Sequence, residues 1–168
     1  MKWHALFVET GREDRVKEWL QIELRGSDIR ILVPKRKLQE RKNGVWTEKI
    51  RILFPGYVLL YGSIGVAEYC KIRGTPGLIR VLQDSSGLLE IHETEIRIIN
   101  MLIQDGDTIG TSSILQEGGK ILVVDGPLRG LDGLIAYIDK RKGRAKVRFN
   151  FIGEPRLVDL SIETVKPA

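Results

Sequence analysis

Six basic side chains crowd into nine residues: Lys140, Arg141, Lys142, Arg144, Lys146 and Arg148, with no acid among them. Side chains of this type bind rather than react. They neutralise phosphates and release counterions, which gives a salt-sensitive affinity for nucleic acid. A second group comprises Lys35, Arg36, Lys37, Arg41 and Lys42. Each group also has the plainer reading of a solvated turn. Bond-making chemistry has little to work with. His4 and His92 are the only histidines and Cys70 the only cysteine. That leaves no metal cluster, no internal disulfide and no nucleophile–base set. No catalytic residue, metal or cofactor is expected, and Cys70 reads as a helix packing residue. The net charge of +5 points to an anionic partner.

The elements that position these groups fall into two halves. Trp3 to Val8 reads as a strand. Thr10-Gly11-Arg12-Glu13 has the spacing of a capping box, and Val16, Trp19, Leu20 and Leu24 mark one helical face, stopped at Gly26. Ile29 to Val33 is a second strand closed by Pro34. The polar stretch to Gly44 reads as a loop or hairpin tip with Val45 to Ile52 as its return arm. Phe54 to Tyr61 forms a central strand, Val66 to Cys70 a short helix ending at Gly74, and Leu78 to Leu82 a last strand. Ile96, Ile99 and Ile103 mark a further helix. The order is that of a split βαβ, or ferredoxin-like, arrangement with an appended helix.

From Gln104 to Gly118 the composition turns to Gly, Ser, Thr and Asp, the mark of a linker. Beyond it only strands are visible: Ile121 to Asp125, Leu134 to Asp139, a third from Ala145 to Phe151, and Arg156 to Leu160. In the third, Ala145, Val147, Phe149 and Phe151 alternate with Lys146, Arg148 and Asn150, so one face is apolar and the other basic. Short strands with glycine turns make a small closed barrel. Gly126-Pro127, Gly130 and Gly133 shape a tight loop within it. The chain is α+β: a ferredoxin-like domain at 1–103, a linker at 104–118 and an SH3-like barrel at 119–168. No apolar run is long enough for a membrane span. Arg12, Glu13 and Asp14 break up any signal peptide, and a reducing cytoplasm is the expected compartment.

Two stretches carry a resemblance. One is Phe54-Pro55-Gly56-Tyr57-Val58, preceded by Trp3-His4-Ala5-Leu6-Phe7-Val8 and Thr10-Gly11-Arg12-Glu13. The other is Gly119, Val123, Gly126-Pro127, Gly130 and Gly133 with the closing Val158-Asp159-Leu160. In this order they resemble the NGN and KOW domains of the NusG family of transcription factors. The resemblance implies a monomeric, non-enzymatic protein of bacterial, nucleoid-associated transcription complexes. Its NGN domain would grip the clamp helices of RNA polymerase through Trp3, Phe54, Pro55, Gly56 and Tyr57, joined in an apolar patch by exposed parts of His4. The non-template DNA strand is a further implied contact.

In the KOW half the general elongation factor carries Phe-Gly-Arg near the last barrel turn, where the Phe meets a ribosomal protein or the Rho terminator. The matching stretch here reads Phe151-Ile152-Gly153-Glu154-Pro155, with an acid in place of the Arg. The chain therefore looks like a specialised, operon-selective paralogue of the LoaP kind. For that group the resemblance implies processive antitermination with the KOW domain on an RNA hairpin in the leader transcript. Arg129, Lys140, Arg141, Lys142, Arg144, Lys146 and Arg148 are the expected RNA contacts, with Tyr137 and Asn150 as further candidates for RNA selection. A general NusG-type elongation factor and a ribosome-associated KOW protein are the alternatives.

Overall fold

A computed structural model describes residues 1–104 and 106–166. Along the chain the elements are β1 (Lys2–Val8), α1 (Glu13–Glu23), β2 (Arg30–Leu32), β3 (Lys35–Lys42), β4 (Val45–Ile52) and β5 (Tyr57–Gly62). They continue with α2 (Val66–Arg73), β6 (Leu78–Val81), β7 (Gln83–Asp84), β8 (Gly87–Leu88), α3 (Glu93–Ile103), β9 (Thr108–Ile109) and β10 (Ser112–Glu117). The rest are β11 (Lys120–Asp125), a 3-10 turn (Asp132–Leu134), β12 (Ile135–Asp139), β13 (Arg144–Phe151) and β14 (Glu154–Thr164). The chain forms two compact units. One is Met1–Val33 with Phe54–Glu93, the other Pro34–Leu53 with the chain from Thr94 onward.

The first unit is the expected ferredoxin-like sheet, ordered β2-β5-β1-β6 with every neighbouring pair antiparallel. Strand alternation sends Leu6, Val8, Val58 and Leu60 to one face, where all are fully buried. Val16 and Leu20 of α1 and Ile72 of α2 are equally buried. The helical period is as read, but the apolar stripe is narrower, because Trp19 is 42 % exposed. Cys70 is exposed rather than a buried helix packing residue. The capping box does not form either: the N-cap of α1 is Arg12, without a side-chain cap.

The second unit is a five-stranded half-barrel ordered β11-β10-β14-β13-β12. Ala145, Val147, Phe149 and Phe151 are buried inside it, as their alternation requires. Gly126 (φ +100) lets the β11 turn pass Ser112: a Cβ there would lie 2.6 Å from the Ser112 Cα. Ser112 Oγ then accepts the Leu128 N–H at 2.9 Å.

Two polar stretches are strands rather than loops. β3 and β4 form a continuous ladder from Lys35↔Ile52 to Lys42↔Val45. Asn43 (φ +53) and Gly44 (φ +79) turn it, both left-handed as a two-residue type I′ loop demands. In the stretch with linker composition, β10 pairs with β11 and runs parallel to β14. The hairpin and α3 also group with the barrel, not with the ferredoxin-like sheet.

Candidate functional site

In the first unit the antiparallel register of β1 and β5 places Trp3 opposite Tyr61, Ala5 opposite Leu59, and Phe7 opposite Tyr57. These residues share the sheet face opposite the Leu6–Leu60 core. The Trp3 and Tyr61 rings lie 4.8 Å apart and the Phe7 and Tyr57 rings 5.5 Å apart, the latter edge to face. The Arg80 guanidinium stands 5.7 Å over the Phe7 ring. All four aromatics are half-buried, while Ala5 and Leu59 between them are fully buried. The result is a band of ring surface with a cation at its edge.

Pro55-Gly56 turns the chain into this face. Tyr57 N–H closes the turn on the Phe54 carbonyl at 3.1 Å. Gly56 has φ +90, and a Cβ there would meet Phe7 Cε2 at 3.3 Å. Glu13 fixes it. Its carboxylate accepts the Gly11 N–H at 2.7 Å and the Gly56 N–H at 2.9 Å, while Val8 N–H donates to the Gly56 carbonyl.

Of the residues assigned to this patch from sequence, Trp3 and Tyr57 do share the face and Pro55 is exposed beside it. Gly56 is buried under Phe7. Phe54 is not part of the surface: it is 3 % exposed and belongs to the core. Nor is His4, whose ring lies on the buried face and donates from Nδ1 to the Leu89 carbonyl at 3.0 Å. Phe7 and Tyr61 were missed. The period-two spacing of Trp3 with Phe7, and of Tyr57 with Tyr61, is the signal that finds them.

In the second unit, Lys140, Arg141 and Lys142 are exposed in the turn from β12 to β13. Asp139 Oδ1 ties that turn by accepting the Lys142 N–H at 3.0 Å. Lys146, Arg148 and Asn150 follow on the outward face of β13, with Tyr137 opposite Lys146 and Leu157 opposite Arg148. Tyr137 is 57 % exposed. Arg129 is exposed in the separate glycine loop.

The basic run is not free of acid in space. Asp159 stands opposite Lys146, its carboxylate 3.2 Å from Lys146 Nζ and 3.4 Å from Arg144 Nη1. Arg144 also donates to the Gln39 carbonyl at 3.1 Å, and Arg36 to the Asp159 carbonyl at 2.9 Å. Burial lowers the Arg36 pKa, an effect the Asp159 charge opposes and Arg144 reinforces. Arg144 is therefore a half-buried brace between hairpin and barrel, and the exposed cations are its neighbours.

The β13–β14 turn has its own anchor. Ile152 (φ +53) and Gly153 (φ +75) form the turn, and both their N–H groups donate to the carboxylate of Glu95 on α3, at 3.0 and 3.1 Å. Phe151 is fully buried, with the Arg156 guanidinium 5.5 Å over its ring.

Comparison with known proteins bears on the family and the overall fold. The family model described as transcription termination factor nusG matches residues 1–100. The transcription termination/antitermination protein NusG of Yersinia pestis is 27 % identical over 98 % of this chain and 95 % of its own length. The Escherichia coli K12 protein of the same name is 26 % identical, covering 99 % and 96 %. A solved structure titled "Domain interaction in Thermotoga maritima NusG" superposes with a TM-score of 0.60 at 21 % identity, over 95 % of this chain and 93 % of that one.

Proposed function

This chain belongs to the NusG family of transcription termination/antitermination factors, and on that footing we propose that it is an operon-selective antiterminator that rides on RNA polymerase and holds a leader RNA hairpin. Proteins of the family act with RNA polymerase and catalyse nothing. The fold is the family's NGN-plus-KOW plan, with the functional division near residues 103 and 119. In the cytoplasm the factor works as a monomer. Its free energy comes only from binding the elongating complex better than other states.

The carrying observation is the aromatic face of Trp3, Phe7, Tyr57 and Tyr61. Flat rings with a cation at the edge suit an amphipathic helix laid across them, and the clamp helices of the polymerase are that partner. Pro55-Gly56 shapes one end of the face. Exposed Lys140, Arg141, Lys142, Lys146 and Arg148, with Tyr137 beside them, support the RNA contact, and Arg129 adds a cation from the glycine loop. The buried Phe151 and the aliphatic Ile152 before Gly153 support selectivity, since neither presents an exposed ring to Rho or to a ribosomal protein.

The test is single-round transcription over an intrinsic terminator, with and without the cognate leader. Read-through that requires the leader is the expected result. Trp3→Asp with Tyr57→Asp should abolish polymerase association, and association that survives both substitutions would remove the aromatic face from the proposal. Equal effects on every template would identify a general NusG-type factor instead.

A further inference from the structure

The arm made by β3 and β4 stands out by its charge. Residues 35–52 hold seven cationic side chains and two acidic ones, a surplus of five that equals the net charge of the entire chain. The remaining residues, basic turn included, sum to zero. The two faces of the arm differ. One carries Leu38, which is buried, Arg36, which donates to the Asp159 carbonyl, and Glu40, which takes both Arg51 nitrogens at 2.6 and 2.7 Å. The other carries Lys37 opposite Ile50 and Arg41 opposite Trp46, with one carboxylate, Glu48, opposite Gln39 between them. Trp46 is 44 % and Ile50 55 % exposed. Among the described residues neither Lys37 nor Arg41 enters an ion pair, and the Trp46 ring meets no other ring or cation.

A two-stranded ribbon gains little from its own pairing. The exposed indole and aliphatic side chain on this ribbon offer apolar surface to a partner that the flanking cations also attract. Lys37 and Arg41 lie roughly 13 Å apart along one edge of the face, at the ordinary strand rise, with Ile50 and Trp46 beside them. Lys37 beside Ile50 and Arg41 beside Trp46 make two cation–apolar steps with Gln39 and Glu48 between them, and such steps are complementary to unpaired nucleotides. Phosphates follow the cations and a base stacks on the ring.

We propose that the outward face of this arm is a binding site for unpaired RNA, with Trp46 as the stacking platform and Lys37 and Arg41 as phosphate contacts. The choice of RNA over DNA rests on the reading of the barrel face given above. Arg36 to the Asp159 carbonyl and Arg144 to the Gln39 carbonyl fasten the arm to the barrel. A transcript held on β13 thus has a second contact on the same compact unit.

The test uses the full chain and a labelled, unstructured RNA of about a dozen nucleotides, read by fluorescence anisotropy. Trp46→Ala should weaken binding roughly tenfold, at the usual value of one stacked base, while Trp46→Phe keeps most of the affinity. Lys37→Gln with Arg41→Gln should lower the salt slope by about one to two. Lys140→Gln with Arg141→Gln is the comparison on the barrel. If only the barrel variant loses affinity, the arm site is overturned and the barrel reading stands. If none of the variants loses affinity, both fall. An equal or larger loss at Trp46→Ala with DNA of the same sequence would overturn the assignment to RNA. Unchanged RNA binding with lost polymerase capture would make the arm a protein contact, and the proposal would fail.

Discussion

Glu13 shows how a single carboxylate defeats local reading. Its spacing from Thr10 suits a capping box, yet it is 2 % exposed and bonds Gly56, 43 residues away. Nothing local in the sequence announces a partner so distant. Glu13→Gln presents an amide NH₂ to one of its two N–H donors, of which Gly56 is buried, and should cost about 1–3 kcal/mol in urea denaturation. It should also weaken polymerase association by loosening the Pro55-Gly56 turn. The opposite sign is expected at Ile152. A β-branched residue at φ +53 is strained, and Glu95 holds it there. Ile152→Asn, which tolerates that conformation, should raise stability by about 1 kcal/mol. The basic run is legible residue by residue, but its counter-charge Asp159 is not, because it comes from the neighbouring strand.

Among elements, those with a clear period were legible. β13 alternates without exception, and each apolar residue proved buried. The charged residues of β3 disfavour a strand and suit a loop or hairpin tip; its pairing with β4 and β9 overrides that preference. β10 carries a polar, serine-led segment that is stabilised by neighbours far along the chain. Phe151→Ala should cost about 3–5 kcal/mol, comparable with the whole net stability of so small a barrel. Its backbone amide signals should collapse while those of the ferredoxin-like sheet persist. On the arm, the hydrogen bonds from Arg51 hold the Glu40 carboxyl below its ordinary value of 4.5. The contribution of this pair is complete above that value and disappears as pH falls through the lower, folded one. A carboxyl NMR titration should place the Glu40 midpoint below that ordinary value, and Arg51→Gln should bring it back up.

At the scale of the molecule, family and fold were legible because several short motifs occur in one order along the chain. The aromatic face was legible only in part, since sequence does not say which of two faces an aromatic residue takes; Phe54 and His4 took the buried one. The two proposed surfaces differ in physics. RNA affinity through the basic surface should fall steeply with salt, by about 0.7 log units per phosphate contact per log unit of salt. Association through the aromatic face should change little, because apolar burial is not screened. Parallel titrations against RNA and polymerase would separate them. The parallel pairing of β10 with β14 also sets an order of maturation. The bond from Ser113 to Glu163 spans 50 residues, so the hairpins β10–β11 and β12–β13 stay unjoined until β14 has been synthesised between them. The first unit ends at Glu93 and can fold earlier, as domains do during translation. A ribosome stalled between those points would display a finished ferredoxin-like sheet tethered to unpaired β-edges, and such edges invite pairing with other chains.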